Sequence, residues 1–439
     1  MLIRVTNRHA ASARPRAIRH GRLRRSHRVL RGVALTAVGL MAFGISGAAA
    51  IYQTLNGNIA SSNIEGLVET LPQPTPTDDT PADPNAGQAV NILLLGSDER
   101  DGENEAIGGH VDGMRSDTSI VAHISADRTR VELVSIPRDS LVDIPSCTMT
   151  DGSTTRAQSN AMFNSAFAIG ADNGGDVASA AACTWNTVQT NTGVPINHFV
   201  VVDFAGFTNM IDAIGGVNMC IPNKMSAPKA GLYLEPGNQT LNGTQALAFA
   251  RARTGVGVGD GSDTNRLGRQ QELLAAVMRE LLSKNLLTDV GQLIRFLDQA
   301  TASLSVDSGF SSITDMAALG ASLRGISSDN ISFMTIPFKT APSDKNRVVW
   351  TDDADTIWAN IANDRPMLTG VGDDASADAA ADAATGDTGT DTGTTDAPAV
   401  DPAAPATDAP STENTPAPQE TRQAGKETFT ANDVTAVCG

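Results

Sequence analysis

Residues 89–100 read AVNILLLGSDER: an apolar run of strand length, stopped by glycine and followed at once by acids and an arginine. The same figure recurs. TSIVAHI (118–124) is preceded by MRSD, VELVSI (131–136) is followed by PRDS, and HFVVVDF (198–204) is a fourth run. Their length and β-branched content predict strands. Helical spacing follows them at 207–214, which stops at Gly215-Gly216, and at 244–253, where Ala246, Leu247, Phe249 and Ala250 form an apolar stripe. A longer helix is predicted over 266–282, with others over 286–297 and 313–323. Strands alternating with helices predict an α/β fold, an αβα sandwich with a central sheet flanked by helices.

Outward from this core the composition changes. The 439 residues carry a net charge of −17, unevenly placed: residues 1–31 hold ten arginines and no acid, while everything from Gly370 onward nets −11 and the middle −16. An acidic body argues against nucleic acid as a partner, because phosphate neutralisation needs a basic face. Residues 33–52, VALTAVGLMAFGISGAAAIY, are uncharged and long enough to span a bilayer as a helix. Arginines on one flank only place that flank in the cytoplasm. The run exceeds the roughly 7–15 residues of a signal-peptide core, which favours an uncleaved anchor; cleavage near Ala48-Ala49-Ala50 is the alternative.

The expected organisation is therefore a cytoplasmic Arg-rich arm (1–32), a transmembrane signal anchor (33–52), an extracellular linker (53–88) that is proline-rich over 72–87, a catalytic domain (89–368), and an acidic Ala/Asp/Thr/Pro tail (369–439). The tail is too poor in large apolar residues to fold alone. Its last stretch regains Phe429, Val434, Val437 and Cys438, which suggests docking back onto the domain. The cell membrane is the expected location.

Four cysteines, Cys147, Cys183, Cys220 and Cys438, lie beyond the anchor, where disulfides persist. None forms a CxxC pair, and three pairings are open. Cys147 and Cys183 flank a long Gly/Ala/Asn-rich segment that needs a staple, so they are expected to pair, leaving Cys220 for Cys438.

No Ser-His-Asp or Cys-His signature is present, and the chemistry rests on arginine and aspartate. Asp98 and Arg100 follow the first strand, Arg115 and Asp117 open the second, and Arg138 and Asp139 follow the third. Arg251 and Arg253 end one helix; Asp263, Arg266, Arg269 and Gln270 begin the next. Surface salt bridges are the plain explanation of any one cluster. Five clusters at element ends instead suit one rim site for a polyanion, because guanidinium groups grip phosphate bidentately. Two carboxylates among them suit a hard cation such as Mg²⁺.

Taken together, NILLLGSDER, RSDTSIVAHI, VSIPRDS, HFVVVDFAGFTNMIDAIGGVNM, LNGTQALAFARAR and DTNRLGRQQ resemble the blocks of the LytR-CpsA-Psr family, in family order, over about 89–282. The resemblance implies an αβα sandwich with a polyprenyl groove. It also implies a Mg²⁺-assisted (or Mn²⁺-assisted) phosphotransferase moving a cell-wall glycopolymer from a polyprenyl-diphosphate-linked donor to peptidoglycan. Carried over by position, Asp98 and Asp117 would hold metal. Arg115, Arg138, Arg251, Arg253, Arg266 and Gln270 would contact the diphosphate, Asp263 would orient arginines, and Arg100 and Arg269 would stand behind them. Asp98, Asp117, Arg115, Arg138 and Arg253 form the expected catalytic set. The helix bearing Leu274, Val277, Met278 and Leu281 is the candidate groove wall, though helical spacing of this kind also describes ordinary core. A lipid diphosphate pyrophosphatase and a non-catalytic polyprenyl-glycan binding protein are the competing functions. A Gly-rich insert separates Asp98 from Asp117, and TGVGVGDGSD after Arg253 lacks the lysine of a P-loop.

Overall fold

The computed structural model describes residues 53–72, 87–99, 103–108, 113–261, 263–283, 298–302, 304–323, 325–371, 422–433 and 435–438. The arm at 1–32, the apolar run at 33–52 and the helix expected over 286–297 lie outside the described residues. Among the described residues no helix is long and apolar enough to cross a membrane.

Eight strands form the central sheet: β1 (Ala60–Ser62), β2 (Val90–Ser97), β3 (Ser116–Ile124), β4 (Val131–Ser135), β5 (His198–Val202), β6 (Leu304–Asp307), β7 (Ile331–Thr335) and β8 (Phe429–Thr430). Their spatial order is β1-β6-β5-β2-β3-β4-β7-β8. β2 is antiparallel to β3, with Leu94 opposite Ile120, and parallel to β5, with Leu94 opposite Val200. β7 runs parallel to β4. The sheet is therefore mixed. The C-terminal ends of β2, β4, β5 and β7 and the start of β3 meet at one rim.

Alternation along these strands feeds two layers, as the two-residue period of a pleated strand requires. Leu93, Leu95, Val121, Val134 and Phe199 enter a core completed by helices α1 (Ser165–Gly174), α2 (Val177–Thr192) and α7 (Asp352–Ala362). Ile92, Ile120, Ala122, Leu133 and Phe333 enter the opposite core, under α5 (Asp263–Ser283) and α6 (Ile313–Ser322). A third cluster joins α3 (Phe204–Ala213), α4 (Gly243–Arg251) and the inner face of α5 to the hairpins at Val217–Ile221/Gly237–Leu241 and Met225–Ala227/Leu232–Leu234.

The segment between β4 and β5 holds a helical hairpin that the hydrophobic pattern does not announce. α2 is alanine-rich and buried over residues 178–189, so it lacks the amphipathic period used to recognise helices. Small residues let its partner approach: a Cβ on Gly170 of α1 would stand 2.3 Å from the Ser179 carbonyl oxygen. Asp176 caps α2, accepting from the Ser179 amide at 2.7 Å.

Two expectations about the edges need correction. Residues 54–71 of the expected 53–88 linker are folded: β1 pairs with β6, Leu55, Ile59 and Ile64 are buried, and the Glu69 amide donates to Asn186 Oδ1 at 3.0 Å. The apolar residues before Pro72 supply this burial, and the proline-rich composition begins only after them. At the other end, the expected tail starting at 369 contains folded residues. The domain runs on through 371, and residues 422–433 and 435–438 return to it, as the regained apolar residues suggested, with β8 pairing antiparallel to β7 and Phe429 stacked 5.2 Å from Phe333.

Both disulfides are present, Cys147–Cys183 and Cys220–Cys438. The first joins the loop after β4 to α2 across 36 residues, with both cysteines fully buried. Replacing this pair by alanines is expected to lower unfolding free energy by about 3–4 kcal/mol on loop-entropy grounds. Denaturant titration under non-reducing conditions measures it; a loss below about 1 kcal/mol would show that the staple contributes little.

Candidate functional site

The rim site is centred on Asp117, the second residue of β3. Three guanidinium groups converge on its carboxylate. Arg138, after β4, donates to Oδ1 at 3.0 Å; Arg253, after α4, donates to Oδ2 at 2.8 Å; Arg266, from the first turns of α5, lies 3.2 Å from Oδ2. Arg266 Nη2 also donates to the Asp117 carbonyl at 3.2 Å and bonds the Asp263 carboxylate. Asp263 stands 3.6 Å from Arg138 Nε, and Asp139 stands 3.4 Å from the same atom. Residues far apart in sequence thus form one cluster of alternating charge.

Burial sets its electrostatics. Burial pushes the Asp117 carboxyl up, but Arg266, Arg138 and Arg253 together outweigh it and hold the group below its ordinary value. Asp263 goes the other way: burial raises it, and Arg266 and Arg138 only partly offset this. Arg266 is lowered by burial despite Asp263 and Asp117, with only 2% of its side chain exposed. Arg138 is raised, because Asp117, Asp139 and Asp263 overcome its burial. Asp263 Oδ2, Arg266 Nε and Gln270 Oε1 are buried with no hydrogen-bond partner among the described residues. Unspent polar capacity gathered in one place is what a site for a polar ligand leaves behind.

Asp98 sits beside Asp117 on the rim. Its Oδ1 accepts the Arg115 amide at 2.6 Å and its own amide donates to the Arg115 carbonyl at 2.9 Å, which ties the end of β2 to the start of β3. The Arg115 side chain is exposed and stands outside the cavity lining described next. Arg100 lies outside the described residues.

A cavity of about 540 Å³ opens at this cluster and runs between the sheet and helices α3, α4 and α5. Asp98, Asp117, Arg251, Arg253, Arg266 and Gln270 stand at its polar end, while Leu94, Ile120, Phe207, Leu247, Leu274 and Val277 are among its apolar walls. Of the four α5 residues with two readings, Leu274, Val277 and Leu281 line the cavity, and Met278 packs into the sheet-side core. Arg251 lies 4.2 Å from the centroid of the Phe204 ring, a cation–π contact at the junction of the two ends. Gln270 Nε2 donates to the Ala250 carbonyl at 3.4 Å.

Arg269 is buried and turned away from this cavity. It donates to the carbonyls of Phe249 (3.2 Å), Val258 and Ala252, bracing the C-terminus of α4 and so the backbone that presents Arg251 and Arg253. Burial lowers it to about 10. Its neighbour Glu272 is pushed up by burial to about 7, with Arg269 and Arg279 pulling back less. A carboxyl raised in the folded state stabilises the fold below its unfolded value of 4.5, and that contribution is lost as pH rises through about 7. Glu272→Gln is therefore expected to hold its melting temperature across this window while the parent protein's falls. Parallel pH profiles of the two proteins would overturn the assignment.

Sequence reasoning placed Asp139 beside Arg138 without assigning it a role, and passed over Arg347 and Phe204 as participants. Asp139 braces Arg138 and is itself 3.6 Å from Arg347, on the hairpin Phe338–Ala341/Asp344–Trp350. Arg347 belongs to no motif, so only the fold brings it there. Phe204 was visible only as the end of a strand run; in the structure it opens α3, with Asp203 as the cap accepting from the Gly206 amide.

The αβα domain carries an arginine–carboxylate cluster at the mouth of an apolar cavity, an arrangement whose polar rim and apolar interior suit an amphiphilic anion. Comparison with known sequences agrees: the LytR_cpsA_psr family model matches residues 51–363, and the chain belongs to that family. It is 28% identical over 268 residues to the cell wall biosynthesis protein LcpA of Corynebacterium glutamicum, covering 57% of this chain and 50% of LcpA. It is 33% identical over 209 residues to the polyisoprenyl-teichoic acid–peptidoglycan teichoic acid transferase TagU of Oceanobacillus iheyensis, covering 48% and 57%. The match thus spans little more than half the length of these relatives. Among solved structures, a LytR-Csp2A-Psr enzyme from Actinomyces oris superposes with a TM-score of 0.45 at 21% identity, over 70% of this chain and 96% of that one. The family assignment rests on the sequence match, not on that superposition.

Proposed function

We propose that this protein is a membrane-anchored phosphotransferase that moves a cell-wall glycopolymer from a polyprenyl diphosphate carrier to peptidoglycan, forming a phosphodiester link. The observation that carries the reading is the continuity of the Asp117 arginine cluster with the 540 Å³ apolar cavity. The names of its relatives, a teichoic acid transferase among them, support it. Residues 33–52 would hold the domain on the outer face of the cell membrane.

The chain's own residues divide the work. The cavity shelters the isoprenoid and keeps water from the tail end. Arg251, Arg253, Arg266 and Gln270, with Arg138 beside them, face the diphosphate; Asp117 keeps three of those guanidinium groups pre-aligned before substrate arrives, so little reorganisation remains at the moment of reaction. Asp263 and Asp139 hold Arg266 and Arg138 from behind. Charge that develops on the leaving polyprenyl phosphate falls where the guanidinium groups converge; a sugar hydroxyl of the acceptor attacks the sugar-linked phosphorus, the new O–P bond forming as the bridging O–P bond to the polyprenyl phosphate breaks, and the hydroxyl proton passes to a rim aspartate. Asp98 and Asp117, two hard carboxylates lining the cavity mouth, would hold Mg²⁺ or Mn²⁺. Such an ion would neutralise charge on the diphosphate.

The test is incubation of the protein with a lipid-linked glycan, peptidoglycan and Mg²⁺, with and without chelator, followed by analysis of the linkage. Phosphodiester-linked glycan on peptidoglycan, lost with the chelator, is the expected product. Free glycan phosphate would instead mark a pyrophosphatase with water as acceptor, and unchanged lipid in every arm a binding protein.

A further inference from the structure

We propose that residues 422–431 form a positioning strap for the helix that carries Arg266 and Gln270, and that Gln271 is the residue through which it acts. The inference rests on the reading above of those two side chains as diphosphate ligands. α5 has two working faces. Arg266, Gln270, Leu273, Leu274, Val277 and Leu281 border the cavity, whereas Gly268, Gln271, Ala275 and Arg279 run down another side at helical spacing.

The returning chain covers that second stripe. A Cβ on Gly268 would stand 2.3 Å from the Ala424 carbonyl oxygen, and one on Gly425 would stand 2.7 Å from Gly268 Cα and 2.8 Å from the Thr264 carbonyl oxygen. Gly425 also has a φ of +84°, where a side chain is strained. Two glycines thus let the strap backbone lie directly on the first turns of α5. Further along, Arg279 donates to the Ala431 carbonyl at 2.7 Å, and Ala431 packs in the same core as Ala275 and Phe429.

Gln271 makes this contact more than a cover. It is 1% exposed, accepts the Gly425 amide at 2.9 Å, and donates to Ser135 Oγ at 2.9 Å and Thr335 Oγ1 at 3.1 Å. Ser135 and Thr335 end β4 and β7 at the rim, and Ser135 is three residues before Arg138. One amide therefore ties the strap, the helix presenting Arg266 and the strand presenting Arg138. A satisfied buried polar hub of this kind specifies one arrangement of its elements. The end of the chain, reached only after the acidic stretch from 372, completes the alignment of guanidinium groups contributed by residues far earlier.

The test compares full-length Gly425→Ala, Gln271→Met and parent protein by amide hydrogen exchange and by transfer kinetics with a lipid-linked glycan. If the strap positions α5, both variants lose protection over 263–272 by at least about tenfold while 177–192 stays as in the parent. KM for the lipid donor then rises or kcat falls, with melting temperature shifted too little to account for it. Unchanged exchange over 263–272 in folded variants overturns the proposal, and so does equal loss over 177–192, which would mean general loosening. Because exchange needs no turnover, a parent protein that transfers nothing removes the functional reading above and leaves the strap to be judged by exchange alone.

Discussion

Asp117→Ala is expected to reduce glycan transfer by on the order of 10²–10³-fold or more while the domain stays folded. The carboxylate is the common partner of Arg138, Arg253 and Arg266, and about a third of its side chain remains exposed, so removing it opens no cavity in the core. What disappears is alignment: three cations left to repel one another no longer converge, and one of two carboxylates proposed to hold Mg²⁺ is gone. The acid limb should show the same group. A carboxyl held below 3.8 keeps its ion pairs above that value and gives them up as pH falls through its lowered pKa, so the cluster persists at mild acidity and fails only in stronger acid. Turnover of Asp117→Ala within about tenfold of the parent, with circular dichroism unchanged, would remove Asp117 from the machinery.

Arg266→Met should cost stability as well as activity. Only 2% of the arginine side chain is exposed, and it is paired with Asp263, whose carboxyl burial already raises. Removing one partner of such a pair leaves a buried charge without compensation, typically a loss of about 3–5 kcal/mol. The deficit should shrink as pH falls, because protonation of Asp263 relieves it: a raised carboxyl is penalised above its pKa and not below. Adding Asp263→Asn should restore much of the stability and none of the transfer. Denaturant melts of the single and double variants at two pH values, with transfer assays beside them, measure both halves. A double variant no more stable than Arg266→Met would show that packing, not charge, is what Arg266 supplies.

Much of this molecule was legible before folding was considered. Short β-branched runs stopped by GSD, PRD and a preceding RSD mark strands whose ends carry charge, because backbone period and turn chemistry are local. The helix bearing Asp263, Arg266 and Gln270 is legible for the same reason, as is the pairing of Cys147 with Cys183 across a segment too poor in large apolar residues to hold itself. Two things were settled only by tertiary structure. Alanine-rich α2 is buried on all sides, so its sequence shows no face, and its helical hairpin becomes evident when Gly170 meets Ser179. Likewise Arg347 and Gly425 lie in no motif, Asp139 and Gln271 lie in motifs that do not show their partners, and residues 54–71 precede a biased stretch that reads as a spacer. Their roles depend on partners from about 60 to more than 200 positions away, and long-range pairing is set by how packed layers bring backbones together. Motif spacing marked the charges that stand at element ends; the packing of α5 between cavity, sheet rim and returning chain decided which of them, Asp117, Arg138, Arg253 and Arg266, meet in one cluster.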